Sequence, residues 1–148
     1  MILDQLLYFS DNQQVLADGI SNVIDRGSNA PVLANYSPGF ASDLFLVVQT
    51  GTAFAGATGL EVKLVSDSTA DLATSPTTHV STGVIPVANL GANKVVAILP
   101  IPPADYERYI GLAFDITGTG TAGTIRAFLT QTPGFWRKMA SVNPPARN

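Results

Sequence analysis

The stretch FDITGTGTAGTIRAFL, residues 114–129, decides the fold class of this chain. It contains a literal G-x-G-x-x-G at 118–123, the spacing of a dinucleotide-binding loop. Such a loop needs a helix after its last glycine, because the helix N-terminus faces the pyrophosphate. Here residues 124–130 read TIRAFLT, a strand pattern, and no acidic residue follows Asp115 to hold a ribose. We therefore predict a hairpin whose turn spans 117–124, and no nucleotide site.

Strand patterns continue along the rest of the chain. Apolar residues alternate with polar or small ones in LEVKLV (60–65) and YIGLAFDIT (109–117), so each predicts a strand with one buried face. LFLVVQ (44–49) is a continuous apolar run, typical of a central strand or one buried on both faces. KVVAIL (94–99) is apolar and β-branched, and Pro100 ends it. Weaker strands are predicted at 6–9, 15–17, 20–25 and 80–85.

Turn clusters that hold most of the 13 glycines and 10 prolines separate these runs. The only helical turn predicted is ADYER, 104–108. Short strands with frequent turns indicate an all-β protein, either a two-sheet sandwich or a barrel. We predict one β-sandwich domain over 1–130, with 1–9 as an N-terminal arm or edge strand. Residues 131–148 are rich in proline and lack alternation, so we predict an extended C-terminal arm.

The two arms carry the predicted partner contacts. Tryptophan and arginine are enriched at binding hot spots, and Phe135, Trp136 and Arg137 stand together in the C-terminal arm. The apolar Ile2 and Leu3 are the corresponding candidates in the N-terminal arm. The alternative is that Trp136 packs back onto its own sandwich and closes one end.

Charge and composition exclude several classes of function. Only 13% of residues are charged, and the net charge is −3. No basic patch is visible, so we expect no nucleic-acid binding. The chain has no cysteine, and its apolar runs are far shorter than the roughly 20 residues of a membrane-spanning helix. The start has an acid and no basic segment, so we expect no signal peptide and no membrane association.

Catalytic and metal-binding patterns are weak. His79 is the single histidine, and no sequence feature marks a hydrogen-bonding partner for it. Asp67 and Asp71 could meet a hard cation, but the order of ligands of a calcium loop is missing, which favours a solvated turn. We therefore expect no enzyme activity, no metal and no cofactor.

Several segments, taken in order, resemble one known family. They are ILDQLLYFSDNQQV (2–15), SNVID (21–25), LFLVVQTGTAF (44–54), LEVKL (60–64) and ERYIGLAFDITGTGTAGTIRAFL (107–129). This pattern is similar to the capsid cement, or decoration, proteins of short-tailed bacteriophages, whose type member comes from a Bordetella phage. The resemblance covers residues 2 to about 130, and is weakest over 66–93 and in the tail.

The resemblance implies a jelly-roll β-sandwich, a structural protein of the virion, bound to the outer surface of an icosahedral capsid. The implied partner is the major capsid protein of a tailed phage, and the implied assembly is a homo-oligomer, with a dimer favoured. Such a protein would be made in the host cytoplasm.

Two alternatives to the cement role stay open at this point. One is a carbohydrate-binding or tail-fibre jelly roll that uses the loop aromatics Tyr36, Phe40 and Phe54. The other is a cupin-type enzyme, which one histidine disfavours because cupins need several ligands for a metal.

Overall fold

The computed structural model describes residues 7–27, 44–131 and 134. These residues are nearly all β, with one short 3-10 helix at Val87–Asn89. The strands are β1 (Tyr8–Gln14), β2 (Gly19–Ile20), β3 (Ile24–Asp25), β4 (Phe45–Thr50), β5 (Ala55–Asp67), β6 (Thr77–Pro86), β7 (Val95–Pro100), β8 (Tyr109–Ala122) and β9 (Thr124–Thr130).

The strands form two antiparallel sheets. Sheet A has the order β1-β9-β4-β7, and sheet B has the order β2-β8-β5-β6, with β3 also paired to β8. Since β2 and β3 both lie along β8, they fill one position, and each sheet has four positions. Two packed four-stranded antiparallel sheets with these strand orders form a jelly roll. The prediction of an all-β, jelly-roll-like sandwich is confirmed.

The core lies between the sheets and follows the alternation predicted from sequence. Leu60, Val62 and Leu64 of β5 are buried there, while the intervening Glu61 and Lys63 face outward. The same division holds in β8 and β9. Full burial of one such aliphatic or aromatic side chain stabilises the fold by roughly 1.5–3 kcal/mol. The largest fully buried side chains are Phe9, Phe114, Phe128, Leu46, Leu60, Leu64, Leu90, Leu112, Ile125, Val47, Val48 and Val62.

The predicted hairpin at GTGTAG is wrong. Strand β8 runs through this stretch to Ala122, and Gly123 alone separates it from β9. The two strands belong to different sheets, so the chain turns a corner here instead of pairing with itself. Gly123 has φ +144°, and a Cβ atom on it would meet the Phe54 ring at 2.5 Å. Periodicity identifies strands, but it does not say which sheet each one joins.

Two local predictions also fail, and one short element was missed. Residues 104–108 form an irregular connector and no helical turn, because Tyr106 is buried in the core and its hydroxyl donates to the Pro102 carbonyl at 2.7 Å. Residues 15–17 form no strand, and the 3-10 helix was not predicted. The edge-strand interpretation fits Tyr8 and Phe9, which begin β1. The proposed arms otherwise lie outside the described residues, and the domain boundaries stay a prediction.

Candidate interaction surfaces

The outer face of sheet A carries a row of four large side chains, one from each strand. Tyr8, Phe128, Val47 and Ile98 are neighbours in the registers of β1, β9, β4 and β7. The rings of Tyr8 and Phe128 lie 5.4 Å apart. Val47 and Phe128 are buried although they lie outside the core cluster between the sheets, while Tyr8 and Ile98 remain partly exposed. We call these four residues the apolar row.

The outer face of sheet B is charged instead. The ammonium group of Lys63 contacts the Asp115 carboxylate on the neighbouring strand, and it lies 3.6 Å from Glu61. Ser81 of β6 donates to Glu61 at 2.5 Å. The hydrogen bond to Asp115 raises the pKa of Lys63 above its ordinary value, so the amine stays protonated. The two outer faces therefore differ in chemistry: sheet A carries the apolar row, with one longer Arg126–Asp11 ion pair at 3.8 Å on the same face, whereas sheet B carries an ion-pair network.

A second ion pair joins β3 to the start of β8. Two nitrogens of the Arg108 guanidinium donate to the two carboxylate oxygens of Asp25, each at 2.8 Å. The guanidinium carbon lies 4.8 Å from the centre of the Tyr109 ring. The bond from Arg108, followed by the one from the Gly27 amide, lowers the pKa of Asp25 to about 2. This fork geometry holds the carboxylate in its charged form.

His79 has partners that the sequence did not reveal. Its Nε2 atom lies 2.7 Å from the Ser66 Oγ atom, and its ring lies 4.0 Å from that of Tyr106. Ser66 is fully buried and also accepts the Glu107 amide hydrogen at 3.2 Å. A buried hydroxyl cannot meet a substrate, so this serine–histidine pair does not form a nucleophilic site. The pair holds the connector 101–108 against sheet B.

Asp67 organises the loop that follows β5, and the solvated turn predicted for it is wrong. Its side chain is fully buried, and its Oδ2 atom accepts the amides of Thr74 at 2.9 Å and Ser75 at 3.2 Å. Its Oδ1 atom accepts from Ser68 and from the Thr69 amide. Burial, the largest single influence, would raise the pKa of Asp67, but the backbone donors together lower it.

Asp71 is an exposed residue of the same loop, and its Oδ1 atom accepts from the Thr69 hydroxyl at 2.7 Å and the Ala73 amide at 3.2 Å. Among the residues that the structure describes, no group of three or more acids, histidines or cysteines is placed to hold a metal ion.

The five predicted contact residues, Ile2, Leu3, Phe135, Trp136 and Arg137, lie outside the described residues. The structure does show where the described chain ends next to each of these two segments. Tyr8 pairs with Phe128, so the beginning of β1 lies beside the end of β9. Leu3 is five residues before Tyr8, and Phe135 is five residues after Thr130. Both ends of the described sandwich therefore lie at one end of sheet A.

Of the three loop aromatics proposed for sugar binding, the structure describes only Phe54. Phe54 is buried in the core cluster, against the corner at Gly123, and is therefore not free to stack on a sugar. Tyr36 and Phe40 lie outside the described residues. No helix in the described part of the chain has the length and apolar character to cross a membrane.

Comparison with known proteins adds a family to this geometry. A family model described as Bbp16 matches residues 9–129, from β1 to β9. The chain belongs to the Bbp16 family. The family name suggests a Bordetella phage protein, which fits the phage-derived family that the strand segments predicted. Among curated proteins, no significant match to the chain was found.

Proposed function

We propose that this protein is a capsid cement protein, which binds the outer face of an assembled icosahedral phage shell and stabilises contacts between major capsid subunits. The observation that carries the proposal is the Bbp16 match, which spans nearly the whole sandwich and bears a phage name. The jelly roll is compatible with this role, since capsid parts use it, although a fold alone does not define a function.

The geometry offers a way for such a protein to bridge subunits. A sandwich with two terminal segments that start side by side can rest on one subunit and extend two arms toward its neighbours. We propose that Ile2, Leu3, Phe135, Trp136 and Arg137 supply these contacts. In this arrangement the aromatic pair fills pockets and Arg137 pairs with a carboxylate at the rim.

Stabilisation follows from selective binding. A protein that binds only the expanded, assembled shell shifts the equilibrium toward that state by mass action. When the free concentration of the cement protein is about 100 times its dissociation constant, each binding site stabilises the expanded shell by about 2.7 kcal/mol. Because many copies act on one shell, modest affinity at each site is sufficient. We propose no enzyme activity, a position on the outer capsid surface, and a homodimer as the bound unit.

The direct test mixes the purified protein with empty, expanded shells, followed by sedimentation and imaging by electron microscopy. We expect added density on the outer face at the seams between subunits, and a higher melting temperature of the decorated shells. Shells that stay bare, while the protein remains folded, would contradict the proposal.

A matched pair of variants tests the contacts. Trp136→Ala should weaken shell binding by about 30-fold or more, as expected for loss of a hot-spot residue. Val84→Ser is the control, because Val84 is 61% exposed on β6, the edge strand of sheet B, and its replacement should leave binding unchanged. Equal binding by both variants would argue against the C-terminal arm as the contact.

A further inference from the structure

The four edges of the sandwich differ in how well they are protected against pairing with another strand. Natural edges are blunted by short strands, charges and bulges. β1 has two register shifts and carries Asp11, and β6 has two register shifts and Gly83 at φ +65°. At the remaining edge of sheet B, β2 and β3 have two residues each.

Strand β7 is the least protected of the four edges, although it ends in Pro100, which has no N–H group to offer a partner. Its sequence, VVAILP, has no charged residue, and all of it is at least partly exposed. Its one register shift lies at its start, opposite Val48 and Gln49. In the part of the chain that the structure describes, β7 pairs only with β4. An uncharged, apolar strand with one open side is a template for strand addition.

The register shows which backbone groups face that open side. The Ile101 amide donates to the Leu44 carbonyl at 2.9 Å. Bonded and non-bonded pairs alternate along an antiparallel ladder, so Leu99 also turns its backbone toward β4. Ile98, the residue before Leu99, belongs to the next, non-bonded pair and turns its N–H and C=O groups toward the open edge. Its side chain ends the apolar row on the outer face.

The absence of charge in β7 favours a second copy of the same strand as its partner. In an isologous interface the same patch meets itself, so any charge in it meets a like charge close by. A strand free of charge from Val95 to Pro100 avoids that repulsion, whereas β1 carries Asp11. β6 also lacks charge in the folded protein, and its two register shifts and Gly83 set it apart from β7. Antiparallel pairing of β7 with its own copy also continues the apolar row from one sandwich into the next.

We propose that the open edge of β7 binds β7 of a second copy, which joins the two A sheets into one continuous eight-stranded sheet. Around the two-fold axis, Ile98 and the partner's Ile98 exchange their N–H···O=C bonds. This inference deepens the homodimer proposed above by naming its surface. It is tested on the protein alone, so its failure and the failure of shell binding are separate results.

The first test measures mass and amide exchange on the wild-type protein. Sedimentation equilibrium should give a dimer, and the Ile98 amide should show hydrogen-exchange protection that rises with protein concentration. In a free monomer no strand of the described part of the chain pairs with this amide, so it should exchange fast. A protein that is monomeric at every concentration would overturn the proposal, and so would a dimer with a fast-exchanging Ile98 amide.

Variants then test the edge itself. Ile98→Lys places two like charges beside the axis, and Ile98→Pro removes the outward N–H without removing a bond to β4. Each should weaken the dimer at least about 10-fold. Val84→Lys on the β6 edge is the control and should remain dimeric. A folded Ile98→Lys protein that dimerises as tightly as wild type would overturn the proposal. If this variant does not fold, the exchange of the wild-type Ile98 amide still decides the question.

Discussion

The Nε2 atom of His79 lies 2.7 Å from the Oγ atom of the fully buried Ser66. Burial of the imidazole lowers the pKa of His79 below its usual 6.5, and the nearby Glu107 carboxylate opposes this only in part. The histidine is therefore held neutral in the folded protein. Since Ser66 already accepts the Glu107 amide, its own hydroxyl hydrogen is best placed on the neutral ring nitrogen.

This pair predicts how stability depends on pH. The unfolded chain binds a proton at His79 more readily than the folded protein, so the free energy of unfolding should fall as pH drops below 6.5. His79→Gln should remove that slope between about pH 7 and pH 5. Urea unfolding across this range checks it. An identical slope in the variant would assign the pH dependence to another group.

The loop after β5 should depend strongly on the Asp67 carboxylate for its stability. In Asp67→Asn, an amide nitrogen replaces an oxygen that accepts backbone N–H groups, so buried donors lose their acceptor. We expect the midpoint of thermal unfolding to fall by several degrees. Asp71→Asn is the matched control. Asp71 is exposed, and both hydrogen bonds that it accepts go to its Oδ1 atom, which asparagine retains, so we expect little change. Calorimetry of the two variants makes the comparison; equal midpoints would contradict the role assigned to Asp67.

At the corner between the two sheets, we expect a larger side chain in place of Gly123 to destabilise the fold by steric overlap. Gly123→Ala should destabilise the protein by about 2–4 kcal/mol, because a methyl group would overlap the Phe54 ring and the backbone has a positive φ. Gly83→Ala tests the backbone contribution alone, since Gly83 has φ +65° and open space around it. It should cost about 1–2 kcal/mol. Chemical denaturation gives both values. If Gly123→Ala costs no more than the control, the ring contact does not restrict the corner.

Because of the ion pair between Asp25 and Arg108, we expect the stability of the fold to fall in acid. The pKa of Asp25 is lowered from 3.8 to about 2, so its contribution to stability is present above pH 3.8 and is lost as pH falls toward 2. Asp25→Asn should flatten this part of the stability curve. Both side chains are more than one-third exposed, so the effect at neutral pH should be small. Thermal unfolding across this acid range, with and without added salt, measures it; an unchanged acid slope would contradict the assignment.

The fold class and the inward faces of the long strands were predictable from the sequence. Alternation in β5, β8 and β9 depends on the two-residue period of a strand, which is a local property. The continuous apolar run of β4 also predicted its position, because this strand is central in sheet A and is buried on both faces. The family resemblance added the jelly roll, which alternation alone did not separate from a barrel.

The candidate surfaces were less predictable. Residues 94–99 were identified as a strand, but their position at an open edge depends on which strands pair with them. The partners of His79 and Asp67 come from segments distant in sequence or from a loop folded around a buried carboxylate, and no local pattern encodes either arrangement. The absence of charge before Pro100 was the one available signal for the β7 edge.

The sequence by itself determined that this protein is built from strands, and which side of each long strand is apolar, because both follow from the spacing of neighbouring residues. Only the tertiary structure decided that GTGTAG carries β8 up to a corner between two sheets and forms no hairpin. The reason is physical: strand pairing is set by contacts between residues far apart in the chain. At this corner, the small size of Gly123 permits the Phe54 ring to pack against it.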